Sequence, residues 1–370
     1  MNSQRRRFIQ SIGLGLGAGL LSSCQQKSSV SSGESLSNLK FEWKMVTTWP
    51  KNFPVLGTGA NRLAERIEKM SSGRLKIKVY GAGELVPALG VFDAVQQGTA
   101  QMGHGAAYYW KGKHEASQFF GAVPFGMNAA EMNAWIYYGG GQELWDELYS
   151  NFGLKAFVVG QTGVQMGGWF KKSINSPEDF KGLKIRMPGL GGEVLSQLGA
   201  TVVNLPGGEL FQALQSNTID AAEWVGPYND LAFGFHQIVK NYYYPGWQEP
   251  TAALEAFVNK NDFEKLPKAL QNIVEYACQM SNQDMYAEFV ARNAMALESL
   301  VTQHGVKLQK FSEDVLKKLQ SVSFEIVNSF AQKDPLSKKI FNSYQKFLKE
   351  NASYTKISEE AYTLARELPL

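Results

Sequence analysis

The sequence predicts an α/β fold in two lobes, braced by a long helical section toward the C-terminal end. Three observations carry that expectation. From Phe41 the chain alternates strand and helix patterns, the order of a sheet covered by helices. Residues 154–224 repeat the logic with a second set of short apolar runs. From Asp262 the pattern turns helical to the end, broken at Gly305 and Pro335. No internal sequence repeat accompanies the two halves.

Each element has its own signal. Phe41 to Val46 alternates apolar and polar residues, as a half-buried strand does. Leu56, Ala60, Leu63, Ile67 and Met70 recur at helical spacing, and Gly73 is a plausible C-cap. Leu75, Ile77 and Val79 alternate with polar neighbours as a second strand. A helix over Val91–Gln97 and a strand over Gln101–Tyr108 complete the first half. In the second half, Leu154–Val159, Val164–Phe170, Leu183–Met187, Thr201–Leu205 and Ile219–Trp224 read as strands or short apolar runs. Helices are expected at Glu193–Leu198 and Glu209–Ser216. Ser176-Pro177-Glu178-Asp179 reads as one helical turn, with Ser as N-cap, Pro at N1 and acids behind it.

The first 40 residues read as an address rather than a fold. Arg5, Arg6 and Arg7 precede an uncharged apolar run, Ile12 to Leu21, about half the ~20 residues a membrane span needs. Arg5-Arg6-x-Phe8-Ile9 resembles the twin-arginine export motif. Leu21-Ser22-Ser23-Cys24 resembles a lipobox, so residues 1–23 are expected to be removed and Cys24 acylated. The alternative is an ordinary cleavage site nearby. Residues 24–39 are Ser-rich and fit a tether.

That division changes what the composition means. The 370 residues carry 37 Lys+Arg against 34 Asp+Glu, a net charge of +3. All of the excess lies in the three arginines of the export segment, which leaves no basic face for nucleic acid. With Cys24 assigned, Cys278 remains, on a helical apolar pattern where a lone Cys is a core residue. The four histidines, His104, His114, His236 and His304, lack metal-ligand spacing. No nucleophile elbow, P-loop, dinucleotide fingerprint or metalloprotease motif is present, so nothing in the chain argues for an enzyme.

Four segments mix polar groups with aromatics and glycines: Gln161–Phe170, Gly182–Gly189, Asp220–Tyr228 and Tyr242–Glu249. Arg186 ends an apolar strand, where ligands bind in α/β sheets, and a guanidinium there can hold a carboxylate through two parallel hydrogen bonds. A surface salt bridge is the alternative. Glu223 likewise closes an apolar stretch, as a ligand group or as a partner for Arg186. Tyr108-Tyr109-Trp110 ends another strand candidate, at a site wall or in the core.

At these segments the chain resembles the DctP-type extracytoplasmic solute-binding proteins of TRAP transporters. Pro177-Glu178-Asp179-Phe180-Lys181-Gly182-Leu183-Lys184-Ile185-Arg186 is similar to that family's hallmark. Gly81–Pro87, Thr162–Phe170, Glu223–Tyr228 and Tyr242–Trp247 resemble its 2-oxo acid (α-keto acid) subgroup, over about residues 41–330. The resemblance implies a two-lobed periplasmic-binding-protein-like fold with an interdomain cleft and long C-terminal helices. The lobes are expected over residues 40–160 and 161–250, with residues 251–370 crossing between them. It implies a small 2-oxo monocarboxylate as ligand, a membrane permease as partner and a periplasmic location, lipid-anchored through Cys24. Arg186 matches the family's carboxylate-holding arginine. Gln165, Glu223, Trp224 (through its carbonyl) and Glu249 match a metal site, although Gln248-Glu249-Pro250 departs from the Trp-Glu-Gly of the pattern. Tyr108, Trp169, Tyr228 and Trp247 are expected to wall the ligand, with Gln165 beside them.

Two glutamates and a bound acid bring three negative charges against one arginine, an arrangement costly to bury without a cation. All the donors are oxygens, so Na⁺ or Ca²⁺ is expected. Some relatives dimerise through C-terminal helices, and Leu336–Leu348 carries apolar residues suited either to that or to packing on its own lobe. The competing reading is a periplasmic metal-assisted enzyme acting on small carboxylic acids.

Overall fold

Two mixed sheets flanked by helices make up the computed structural model, which describes residues 39–368. The signal segment, Cys24 and most of the tether lie outside the described residues.

The first half of the chain runs β1 (Phe41–Thr47), α1 (Leu56–Met70), β2 (Leu75–Tyr80), α2 (Val91–Gln96), β3 (Met102–Ala106), α3 (Ala129–Tyr138), α4 (Gly141–Ser150) and β4 (Leu154–Gln161). The helical spacing in α1 places Leu56, Ala60, Leu63 and Ile67 in the core. Gly73, with φ at 74°, takes the left-handed turn into β2 that a Cβ would strain. Asn128 caps α3 in a capping box with Glu131.

The second sheet follows: β5 (Gly168–Phe170), β6 (Lys184–Arg186), α5 (Gly189–Gln197), β7 (Thr201–Val203), α6 (Leu210–Gln215), β8 (Ala221–Ala222), α7 (Pro227–Phe233) and β9 (Asn241–Tyr244). The chain then returns through β10 (Ala253–Asn259), α8 (Lys260–Glu264), α9 (Lys268–Thr302), β11 (Lys307–Lys310), α10 (Glu313–Ser329), α11 (Pro335–Thr355) and α12 (Ala361–Arg366).

The first sheet has strand order β2-β1-β3-β10-β4 and the second β11-β9-β5-β8-β6-β7. Each therefore takes one strand from the late chain. β10 runs antiparallel between β3 and β4, and β11 pairs parallel with β9. Neither was anticipated from sequence. β10 is mostly apolar and buried on both faces, with its one acid, Glu255, buried too, so it lacks the alternation of buried and exposed residues that marks a strand. β11 is a short polar edge set between two helices. The expected strand through Tyr108 stops at Ala106, and Tyr108 lies in a 3₁₀ turn, Ala107–Trp110. The run Ile219–Trp224 pairs only at Ala221–Ala222.

Besides the passage through α8 and α9, the chain crosses between the sheets over two short segments, residues 162–167 and 245–252, and these two crossings lie side by side. Thr162 N–H donates to Ala252 O at 3.1 Å, and Ala252 N–H donates to Thr162 Oγ1 at 2.9 Å. α9 has 35 residues and so is about 52 Å long. It packs on α1 and β4 of the first half and on α7 of the second.

The apolar residues of Leu336–Leu348 pack on their own lobe. Ile340 and Tyr344 are buried, and Leu336, Phe341, Phe347 and Leu348 cover the same core. Tyr344 stands edge-on to Phe119 and Trp135. Of the two readings of this stretch, these contacts support packing on its own lobe. Among the described residues no helix is long and apolar enough to cross a membrane.

Candidate functional site

Parallel pairing brings the first two site residues together. Arg186 ends β6 opposite Ala222 of β8, so the residue after that strand, Glu223, stands beside it. Glu223 N–H donates to Arg186 O at 3.0 Å. The Arg186 guanidinium is 1% exposed, and its Nη1 donates to Glu223 O at 2.6 Å and to Glu223 Oε2 at 3.4 Å. Its Nε donates to Leu205 O at 3.2 Å, and its Nη2 to the Tyr109 hydroxyl at 3.3 Å. The guanidinium carbon lies 4.9 Å from the centre of the Trp224 ring, a cation–π contact. A bidentate grip on a ligand carboxylate would draw on the two long contacts, to Tyr109 and to Glu223 Oε2.

The second pair comes from the two crossing segments. Gln165 N–H donates to Glu249 O at 3.1 Å, and Gln165 Nε2 donates to Glu249 Oε2 at 2.6 Å. Gln165 Nε2 also donates to Thr162 Oγ1 at 3.1 Å. Tyr108, in the 3₁₀ turn of the first lobe, stands near Glu249 and pulls its carboxyl down against the effect of burial. The Tyr108 ring fits there because residue 121 is glycine: a Cβ on Gly121 would fall 2.6 Å from Tyr108 Cδ1. The site thus draws on β6, the β8–α7 loop, both crossings and the first lobe.

Its electrostatics follow from burial. Glu223, Glu249 and Gln165 are all nearly inaccessible to water. Burial pushes the Glu223 carboxyl well above the usual range, Glu249 adds to the shift, and Arg186 opposes it. Burial also raises Glu249, against the pull of Arg186, Gln165 and Tyr108. Glu223 Oε1 has no hydrogen-bond partner, and neither does Gln165 Oε1. The Gln165 nitrogen faces two acceptors, so its oxygen is necessarily the free end. Trp224 Nε1 is likewise buried without a partner.

The remaining expected wall residues are placed differently. Trp169 is wholly buried, stacks on Tyr242 with ring centres 4.0 Å apart, and donates its indole N–H to Asp230 Oδ2 at 2.9 Å. Trp247 leans on Phe125 at 5.9 Å, and its carbonyl accepts from Phe125 N–H at 2.9 Å. Tyr228 N–H donates to Asn293 Oδ1 of α9 at 3.0 Å. Among the described residues, none of Trp169, Tyr228 and Trp247 makes a hydrogen bond or ring contact with Arg186, Gln165, Glu223 or Glu249.

Other residues at the site carry no motif of their own. Tyr109 holds Arg186 directly. Trp49 stands edge-on to Trp224 at 6.1 Å and near Tyr109 at 6.2 Å, held by its indole donation to His104 Nδ1 at 2.8 Å. Asp230 accepts from Trp169, from the Tyr242 hydroxyl at 2.6 Å and from Val225 N–H at 3.4 Å, and so pins the loop that carries Glu223 and Trp224. The Tyr108-Tyr109-Trp110 triplet signalled the first of these; nothing in the sequence signalled Trp49 or Asp230. Among the described residues no three His, Cys, Asp or Glu side chains gather as a metal cluster, and Cys278 is buried with its thiol pushed up by burial.

The chain matches the model for bacterial extracellular solute-binding proteins, family 7, over residues 45–334. It is 43% identical over 361 residues to the monocarboxylate 2-oxoacid-binding periplasmic protein of Nostoc sp. (strain PCC 7120), an alignment covering 97% of this chain and 98% of that one. Among solved structures it is similar to a TRAP periplasmic solute-binding protein of Pseudoalteromonas atlantica T6c with bound sodium and pyruvate. That pair shares 44% identity with a TM-score of 0.86, covering 89% of this chain and 100% of the other. A TRAP periplasmic solute-binding protein of Colwellia psychrerythraea, with bound calcium and pyruvate, shares 45% identity with a TM-score of 0.85, covering 88% and 99%.

Proposed function

The chain belongs to the bacterial extracellular solute-binding proteins of family 7, and from that premise we propose that it captures a small 2-oxo monocarboxylate, pyruvate or a close analogue, together with Na⁺ or Ca²⁺. The family is one of transporter receptors rather than enzymes. The observation that carries the reading is the buried group of Arg186, Glu223, Glu249 and Gln165, with acceptor oxygens on Glu223 and Gln165 left without a donor. Two carboxylates and an amide oxygen make an all-oxygen set, which fits a hard cation. Trp224 O would complete it.

Each residue then has a task. Arg186 holds the ligand carboxylate, and Tyr109 and the Glu223 carbonyl hold Arg186 in place. Tyr108, supplied by the first lobe, stands near Glu249 on the crossing segment. Because Gln165 and Glu249 lie on the two crossings, occupancy of the site is coupled to the angle between the lobes. When bound, the cation supplies the positive charge that lets two glutamates and an anionic ligand share one buried space. Trp224, Trp49 and Tyr109 shield it from water. The loaded protein hands its ligand to the membrane permease of a TRAP-type transporter.

The finer placement is part of the proposal. The chain is exported to the periplasm through its Arg5-Arg6 motif and anchored by acylation of Cys24. Metabolic labelling with a palmitate analogue, lost in Cys24→Ser, is the expected result. A homodimer through the C-terminal helices rests on the exposed Tyr354, Ile357, Tyr362 and Leu364 rather than on Leu336–Leu348. Light scattering of wild type against Ile357→Lys reads it directly.

The main test is a thermal-shift panel of C3–C6 2-oxo and 2-hydroxy acids in calcium and in sodium. A ligand that binds only the native state raises Tm, by about 2.7 kcal/mol of stability at 100 times Kd. The expected result is a shift with 2-oxo acids. A panel without any shift overturns the reading.

A further inference from the structure

Away from the buried acids, one exposed acid joins the two lobes. Glu193 lies on α5, the helix that begins three residues after Arg186. Its Oε1 accepts from two side chains of the first lobe, Lys111 Nζ at 3.1 Å and Gln118 Nε2 at 3.2 Å. Lys111 directly follows the 3₁₀ turn that carries Tyr108 and Tyr109, and its N–H donates to Tyr108 O at 3.4 Å. Gln118 is wholly buried in the 3₁₀ segment Glu115–Phe120, whose Phe119 and Phe120 enter the first core. The start of α5 is seated on this same surface: a Cβ on Gly189 would fall 3.3 Å from Tyr108 Cβ and 3.8 Å from Gln118 Oε1. Lys111 and Glu193 are 45% and 32% exposed, and such a pair alone contributes little. Gln118 makes the difference, because a buried amide that donates to a carboxylate forms a charge-assisted bond. Its Oε1 has no partner, so Glu193 is what fixes this amide.

We propose that Glu193 is a positioning residue: it clasps the first lobe onto α5 and slows the escape of a bound ligand. The inference rests on the reading that Arg186 holds the ligand carboxylate. Tyr109 accepts from Arg186 Nη2, and Lys111 and Gln118 fasten the neighbourhood of Tyr109 to the helix that follows Arg186. The clasp thus ties both sides of the Arg186–Tyr109 contact. A ligand leaves when the lobes part, and Glu193 then gives up both of its donors as Arg186 loses the Tyr109 hydroxyl. The clasp exists only while the lobes meet, so it acts on the dissociation rate far more than on the association rate. Gln118 carries the larger share of the effect and Lys111 the smaller, in line with their burial.

The test follows pyruvate binding in CaCl₂ by stopped-flow tryptophan fluorescence, with Trp49 and Trp224 as reporters. Glu193→Ala is expected to raise the dissociation rate about tenfold and to change the association rate less than about threefold. Glu193→Gln keeps an acceptor for Gln118 and should lose less. Lys111→Glu and Glu193→Lys each bring like charges together, so each should release pyruvate faster than wild type. The double reversal should return to within about threefold of wild type, because opposite charges face each other again and the free Gln118 oxygen can accept from the new lysine. Lost packing would not be rescued by exchanging the two charges. A dissociation rate within about twofold of wild type in folded Glu193→Ala overturns the proposal. So does a double reversal that releases pyruvate as fast as the single ones, or a loss of affinity that lies in the association rate. A wild type that binds no 2-oxo acid overturns the functional reading and this inference together, whereas normal wild-type binding with unchanged dissociation in the variants overturns this inference alone.

Discussion

Two sets of buried carboxylates in this chain have opposite surroundings. Glu255, in the middle of β10, has both oxygens taken: Trp110 Nε1 donates to one at 2.5 Å and the Tyr149 hydroxyl to the other at 2.7 Å. Glu223 and Glu249 are as deeply buried, yet Glu223 keeps one oxygen with no donor and its other at 3.4 Å from Arg186. Burial raises all three. The difference teaches how to separate structure from site. A buried acid whose acceptors are all filled by the fold is a completed internal network. One whose acceptors are left over is organised around something that arrives from outside.

The largest expected effects test that contrast by their opposite signs. Glu255→Leu leaves Trp110 Nε1 and Tyr149 OH without acceptors, at about 1–3 kcal/mol each, so stability falls by roughly 2–6 kcal/mol while ligand affinity of the folded protein stays within threefold. Glu223→Gln removes a desolvated carboxylate that the fold does not fully satisfy. The ligand-free protein is expected to melt at the same or a higher temperature, and its response to calcium should vanish. Thermal melts with and without CaCl₂ read both. A Glu223→Gln protein as damaged as Glu255→Leu would erase the distinction.

Next comes Arg186→Lys. The ammonium keeps the charge but not the planar fork that reaches Leu205, Glu223 and Tyr109 at once. Losing two charge-assisted contacts at about 1.5–3 kcal/mol each predicts a loss of affinity of roughly 100-fold or more, measured by calorimetry with pyruvate. Unchanged affinity removes Arg186 from the site.

The pH dependence follows from the same acids. Their folded pKa values are raised above the ordinary carboxylate value, Glu249 to about 8. A raised acid binds its proton more tightly in the native state, so the ligand-free protein loses stability as pH rises from about 4.5 through 8. A cation needs the ionised forms, so calcium affinity must rise over that window. The calcium-induced Tm shift is therefore expected to be larger at pH 8 than at pH 5.5, and chelation should cost the most at the higher pH. A flat profile counts against a cation held by these two residues.

Much of this was legible before the structure, and the rest was hidden for identifiable reasons. Periodicity showed α1 and β2 because each has one wet face. It failed on β10, where both faces are covered, and on β11, where neither pattern nor length distinguishes three polar residues and Leu308 from a loop. Arg186, Gln165, Glu223 and Glu249 stood out as polar residues among glycines and aromatics, and the fold brings the four together. Trp169 stood out equally, but sequence cannot show that its indole is taken by Asp230, 61 positions away. Asp230 and Glu255 themselves belong to no motif that would mark them as buried. Only the tertiary fold reveals which donors surround an acid.

The smallest expected effect is the sharpest check on the contrast. Glu255→Gln conserves shape, and its two partners can both be kept. Trp110 Nε1 only donates, so it must face the new amide oxygen, while the Tyr149 hydroxyl can turn and accept from the new amide nitrogen. Nothing is orphaned, so stability at pH 6 should lie within about 1 kcal/mol of wild type. The sign then changes with pH in a way that packing cannot imitate. Wild-type Glu255 has its pKa raised to about 7 by burial, against the donation of Tyr149 and Trp110. Its contribution is greatest below the unfolded value and is lost as pH rises through 7. Gln does not titrate, so between pH 6 and pH 8 the variant should gain about 1 kcal/mol relative to wild type. Urea melts at the two pH values read the difference, and pyruvate affinity should not move at either. A relative gain in stability with no change in binding confirms a completed network; a change in affinity would mean that Glu255, through Trp110 and its neighbours Tyr108 and Tyr109, belongs to the site after all.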